Sequence, residues 1–315
     1  MPDDQVEETV RTFAFSDLLV RLDDSTVPAR FSPEATSRHG GEGNFVVKPH
    51  FMPFVGQIRT RISDDFNRTK GIAQLLGRRF RYNIINADGG ETWAAVRCLP
   101  LDLPLIDRLG IDPELVGILK GLKRRKGLVL VSGSTGDGKT TTVVGLLHHL
   151  LNEEGGFLFT CEDPPEFAMQ GALGNGFVLQ TEVGAKATWA DALETAMRSN
   201  PRWLMFGEIR SSEAAEALLQ ASGHFTIATT HASSVSDAIA ATMQKAGSRL
   251  GESAKGKLAD GLVAVLHQTL TPRGPRIELL MPESETNADD PVRRMIRNGE
   301  YSKLKSQRTF EPTGR

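Results

Sequence analysis

The sequence predicts an α/β protein in which a mostly parallel sheet, covered by helices on both faces, follows a smaller α/β domain. Three observations predict it. Short apolar runs alternate with helical segments after residue 126, a glycine-rich loop joins the first of those runs to the first helix, and the texture changes near a proline-rich stretch at 99–104.

The 315 residues suffice for about two domains of ordinary size, and 39% apolar with 24% charged residues describes a globular protein. A formal charge of -2 gives no global attraction to nucleic acid or anionic membrane. The two cysteines, Cys98 and Cys161, have no C-x-x-C spacing and read as small buried thiols in a reducing compartment. No apolar run approaches a membrane span, and the start, Met1 to Glu8, is acidic, unlike a signal peptide. These features predict a cytoplasmic protein with no membrane insertion and no nucleic-acid partner.

Within residues 1–98, Phe15–Leu22 and Arg79–Asn86 read as strands, and the apolar spacing across Phe54–Leu76 reads as helices. His39–Asn44 is glycine-rich and reads as a loop, whereas Asp88-Gly89-Gly90 marks a hairpin turn between Arg81–Ile85 and Trp93–Leu99. Leu99–Pro104 carries two prolines and reads as a linker. The larger domain then spans 105–281. A helix runs from Asp112-Pro113 to about Leu122 and ends in the basic run Lys123–Lys126. Beyond it, strands are expected at Gly127–Val131, Phe157–Cys161, Phe177–Gln180, Trp203–Gly207, Phe225–Thr230 and Arg276–Met281. Helices are expected at Thr140–Leu151, Trp189–Arg198, Ser211–Ala221, Val235–Ala246 and Lys257–Leu270. Residues 282–315 hold a short amphipathic helix, Asp290–Arg297, and a polar tail.

Gly133-Ser134-Thr135-Gly136-Asp137-Gly138-Lys139-Thr140 fits G-x-x-x-x-G-K-[ST] between a strand and a helix. Glycines let backbone N–H groups turn inward around a β-phosphate, Lys139 reaches the β/γ oxygens, Thr140 is placed for Mg²⁺, and Thr141 follows in the helix's first turn. This context predicts nucleoside triphosphate binding. Three later segments offer groups that phosphoanhydride hydrolysis needs. Glu162 and Asp163 emerge where Pro164 and Pro165 stop a strand, which suits either a carboxylate aimed at the nucleotide or an acidic surface turn. Glu208 ends the apolar run Trp203–Phe206 after Gly207, the shape of a strand whose acid completes a metal shell or polarises water. His224 and His231 bracket Phe225–Thr230, where a histidine can report the γ-phosphate.

Together these segments resemble the secretion-superfamily ATPases of type IV pili and type II/IV secretion, most closely the pilus-retraction (PilT) type. Gly133–Thr140 is similar to the family's Walker A, Glu162–Phe167 to its Asp box, Gly207–Arg210 to its Walker B, and Gly223–Ala232 to its His box. The resemblance also takes in Gln180–Val183, Asn200-Pro201, Gln268-Thr269-Leu270 and, near the start, Phe15–Leu18 and Arg79–Asn83.

It implies a RecA-like P-loop core behind a PAS-like domain, assembled as a homo-hexamer. The implied activity is Mg²⁺-dependent ATP hydrolysis driving a pilus-retraction motor or a related machine. The ring would be cytoplasmic and peripheral at the inner membrane, through a platform protein there. By the same resemblance Lys139 and Thr140 hold phosphates and Mg²⁺, and Glu208 and Glu162 share water positioning and the base role. Asp163 joins the metal shell, His224 or His231 senses the γ-phosphate, and Arg81 and Arg97, with Lys126 near a third position, reach the phosphates. The alternatives are a type IV secretion or conjugation ATPase, a RecA-like nucleic-acid translocase, and a nucleotide-binding assembly protein with little turnover. Two departures stand out. Asp137 replaces a small serine and should weaken nucleotide binding unless its side chain turns to solvent, and Ser211 replaces an acid.

Overall fold

The computed structural model describes residues 17–31, 47, 51–64, 69–75, 77–100, 102–184, 187–284, 287, 289–307 and 310. The loop expected at His39–Asn44, the acidic start, and Phe15 and Ser16 lie outside them. The described chain divides into two compact units. One comprises the residues before 102 together with Pro164–Ala168, and the other Asp102–Asp163 and the residues from Met169 onward.

The first unit is an antiparallel sheet with a helix on one face. Its strands are β1 (Asp17–Arg21), β2 (Arg30–Phe31), β3 (Lys70–Leu75), β4 (Arg78–Asn86) and β5 (Thr92–Cys98), in the order β2-β1-β5-β4-β3. Alternation sets its faces: Phe80 and Tyr82 of β4 are buried while Asn83 between strand neighbours is exposed. Helix α1 (Met52–Ser63) adds Phe54, Val55, Ile58 and Ile62 to the same core as Leu18, Val20, Ala94 and Val96. Each of these side chains larger than alanine contributes about 1.5–3 kcal/mol on burial. The β4–β5 turn closes through Ala87 N–H to Glu91 O at 2.8 Å, with Gly90 at φ 78°. Residues 70–75 form a strand, where the spacing of Ile72 and Leu75 suggested helix; Gly71, against the Tyr82 ring, and the pairing with β4 decide it.

The second unit carries α2 (Pro113–Gly121), β6 (Gly127–Ser132), α3 (Lys139–Glu154), β7 (Gly156–Glu162), β8 (Gly171–Leu173), β9 (Gly176–Glu182) and α4 (Trp189–Ser199). It continues with β10 (Trp203–Glu208), α5 (Ser212–Gln220), β11 (Phe225–Thr230), α6 (Val235–Leu250), α7 (Ser253–Gly261), β12 (Leu262–Thr271), β13 (Gly274–Leu280) and α8 (Pro291–Asn298). The strand order is β13-β12-β6-β11-β10-β7-β9-β8, parallel except at the two outermost pairs. This is the RecA-like, mostly parallel arrangement expected. Its middle strands β6 and β11 are buried along their whole length, as a sheet covered on both faces requires. Side-chain caps start the helices: Asp112 for α2, a Thr188–Asp191 capping box for α4, Ser211 for α5, Ser234 for α6 and Asp290 for α8. Ser211, noted as a departure, thus has a local role. The helix expected over Lys257–Leu270 ends at Gly261, and Leu262–Thr271 is a strand. Its run Leu262–Leu266 is buried on both faces between β6 and β13, a pattern that in sequence fits either element.

Candidate functional site

β6, β11, β10 and β7 are parallel neighbours, so their carboxyl ends share one edge of the sheet, where open α/β sheets place ligands. At that edge the chain leaves β6 and enters α3 through Gly133–Gly138. Gly133 (φ 149°) and Gly138 (φ 78°) hold backbone conformations that L side chains rarely adopt, and a Cβ on Gly133 would stand 2.3 Å from Gln268 O. Lys139 is buried, and its Nζ donates to Gly133 O at 2.9 Å and Ser134 O at 2.8 Å. Thr140 and Thr141 are half-buried in the first turn of α3, which holds no acidic residue to oppose the helix's positive end. Such a loop presents N–H groups and an ammonium to phosphate oxygens.

Asp137 does not turn to solvent. Its Oδ2 accepts from Ser134 N at 2.6 Å and its Oδ1 from Leu270 N at 3.0 Å, so both oxygens are engaged by backbone N–H groups. Gln268, buried on β12, donates from Nε2 to Asp137 O at 2.5 Å and accepts from Thr142 Oγ1 at 2.8 Å. The sequence contained Gln268, but with the segment read as helix its contact with the loop was not visible.

Glu208 ends β10. The pairing of β10 with β11 skips Gly207, the mark of a bulge that re-aims the residue after it. Glu208 Oε1 lies 2.6 Å from His231 Nε2 and its Oε2 2.5 Å from Arg210, with the Glu208 side chain 18% exposed. Glu162 ends β7 and is almost completely buried, its Oε1 accepting from Thr160 Oγ1 at 2.7 Å and from Gln180 Nε2 at 3.1 Å. Gln180 also accepts from Met169 N and Gln170 N, which fixes its amide and so Glu162. A Cβ on Gly207 would lie 3.3 Å from Glu162 Cα, so the two acid-bearing strands touch at this glycine. Asp163 is half-buried beside Gly184. Burial, and secondarily the Glu162 charge, pushes the Cys161 thiol up to about 12, which makes it an inert structural thiol.

The two histidines part company. His231 follows β11 and meets Glu208, but His224 precedes it, about 20 Å away by the length of an extended six-residue strand. There its carbonyl accepts from Gly127 N, and the residue lines a cleft of about 300 Å³ with Lys123, Arg125, Lys126 and Arg202. Within one chain His224 is therefore not brought to the loop. In the first unit Arg81 and Arg97 stand directly opposite each other across β4 and β5, and Arg81 NH1 lies 3.8 Å from Glu166 Oε1. Glu166 beside Arg81, and Asp17 across from Arg97 on β1, offset the repulsion between the two guanidinium groups.

Residues 76–295 match the family described as type II/IV secretion system protein. The chain belongs to that family. Relatives of this secretion family include an uncharacterized protein, YggR, of Escherichia coli, 33% identical over 181 residues covering 56% of this chain and 53% of YggR. The type IV pilus retraction ATPase PilT of Pseudomonas aeruginosa is 31% identical over 195 residues, 61% of this chain and 55% of PilT. These matches span about half the length of either curated relative. Among solved structures of secretion-family proteins, the pilus retraction motor PilT with bound ADP superposes with TM-score 0.72 at 25% identity, covering 96% of this chain and 88% of PilT. The ATPase DotB of Legionella pneumophila has the same TM-score at 17% identity, covering 98% and 88%, and so shares the fold.

Proposed function

We propose that this chain is an ATP-hydrolysing motor subunit, working as a ring of six that powers a type IV pilus or a related secretion machine. The observation that carries the reading is the convergence of the glycine-rich loop, Glu208 and His231 on one sheet edge; the PilT relative and the ADP-bound PilT structure support it. The loop N–H groups and Lys139 take the β- and γ-phosphate oxygens, with Lys139 exchanging Gly133 O and Ser134 O for phosphate. Glu208, partly exposed, accepts the proton of the attacking water. Glu162, buried with its oxygen already engaged, acts by holding the geometry around that water. His231, in contact with Glu208, passes the presence of the γ-phosphate to it.

Among the described residues no three carboxylate, imidazole or thiol groups converge as a metal cage. A magnesium ion here would be completed largely by substrate phosphates and water, with Thr140 Oγ1 and Glu208 as its protein side and Glu162 and Asp163 reaching it through water. When bound, magnesium neutralises phosphate charge. Arg81 and Arg97 complete the phosphate contacts in the assembled ring, and closure about the 99–104 segment supplies the stroke. None of the described helices is long and apolar enough to cross a membrane, and a platform protein at the inner membrane is the proposed seat of the ring. Lys139→Ala tests the reading. Phosphate release at saturating MgATP should fall to background in the hexameric fraction of a sizing column, and full turnover in that variant would sink the assignment.

A further inference from the structure

We infer that Asp137 is a positioning residue: its carboxylate latches the phosphate loop to the overhanging end of β12 and holds the loop in its binding shape before any ligand arrives. The inference rests on the reading of Gly133–Thr140 as a nucleotide site and adds a device within it. The β6–β12 ladder ends at Ser132 opposite His267, yet β12 runs on to Thr271. That overhang presents a bare strand edge to the loop. Asp137 Oδ1 takes the Leu270 N–H from this edge, while Oδ2 takes the N–H of Ser134 at the loop's own start. Gln268 grips the same segment from within, joining Asp137 O to Thr142 Oγ1 on α3. One side chain from the loop and one from the strand thus tie the loop's entry and tip, and the first turn of α3 beyond it, to β12.

The physical gain is entropic. A loop with glycines at positions 133, 136 and 138 has much backbone freedom to lose when it closes on phosphate, and a latch that removes this freedom beforehand lowers the cost of binding. It also settles the fate of a negative charge beside polyphosphate, because two backbone dipoles face the carboxylate. Two opposed expectations follow for Asp137→Ser. If the carboxylate acts mainly by repulsion, the variant binds nucleotide more tightly; if it acts as a latch, the variant binds more weakly.

Amide hydrogen exchange on the full chain without nucleotide, and ADP affinity by calorimetry, separate them. The latch predicts that Asp137→Ser exchanges the Ser134 and Leu270 amides at least about tenfold faster and binds ADP about tenfold more weakly, the scale of lost hydrogen bonds to a charged group. Asp137→Asn keeps the volume with one accepting oxygen and should fall between, which covers the case in which the serine variant folds poorly. The loss should fall on Kd and KM more than on kcat. Unchanged exchange at both amides, or tighter ADP binding, overturns the inference. A wild-type chain that fails to bind ADP would refute the nucleotide reading instead, and the exchange experiment would still decide whether the latch exists.

Discussion

The two edges of the large parallel sheet are both rich in charge, but they use it differently. At the amino edge Glu154 and Arg293 each complete a local structure. Glu154, at the end of α3, takes Lys123 at 2.5 Å and Arg202 at 2.9 Å, and the Arg202 guanidinium lies 4.7 Å over the Trp203 ring. Arg293 of α8 donates to the carbonyls of Ala259, Asp260 and Leu262, where α7 ends and β12 begins. At the carboxyl edge Lys139 and Glu208 rest on groups that a ligand can replace: Lys139 on two loop carbonyls, and Glu208 on a histidine and an arginine at the surface. The lesson is that closed charge networks mark architecture and exchangeable ones mark chemistry.

This contrast breaks most sharply at Glu208. Glu208→Gln keeps size and one accepting oxygen, so ATP turnover should drop by about 10²–10⁴-fold while nucleotide still binds. Turnover within about threefold of wild type would remove Glu208 from the base role. The amino edge should give the reverse pattern. Arg293→Ala leaves helix-end carbonyls unmet in a buried place and should cost about 2–4 kcal/mol in denaturant unfolding, with ADP affinity unchanged. A weakened ADP affinity there would blur the division between the edges.

Glu154→Gln should have the smallest effect, a melting-temperature fall of no more than about 3 °C at neutral pH. The hydrogen bonds from Lys123, then Arg202, hold the Glu154 carboxyl below its ordinary value of 4.5. A lowered folded-state value means that its stabilisation is present above 4.5 and lost as pH falls below it. Wild type and variant should therefore converge in acid, and a gap that persisted at low pH would show that the pair is not the cause.

Much of the site was legible because its chemistry is local in sequence. The loop Gly133–Thr140 needs its glycines, lysine and threonine at fixed spacing, and the apolar runs before Glu208 and Glu162 announce strand ends. What stayed hidden depends on partners far along the chain. Leu262–Leu266 reads equally as buried helix or buried strand, so the placement of Gln268 and Leu270 against the loop could not be foreseen. Asp137 was visible as a misplaced charge, but the two N–H groups that receive it come from residues three and 133 positions away. A histidine before a strand and one after it look alike on paper; only strand direction sends His224 to the opposite edge from His231. Residues 70–75 were lost to helix for a related reason: Ile72 and Leu75 fit a three-residue spacing, whereas in the strand they fall on opposite faces and the buried positions are the small Gly71 and Ala73.

Gly207 sets the spacing of the two acids at the carboxyl edge. The apolar residues Trp203–Phe206 can be exchanged among shapes that refill the core, since the cost is spread over many contacts. At Gly207 the neighbouring strand leaves room for a hydrogen but not comfortably for a methyl, and the bulge that aims Glu208 begins there. The interval between the two acids is thus gauged by the smallest side chain available, and a methyl at this position would push the Glu162 and Glu208 strands apart by a few tenths of an ångström.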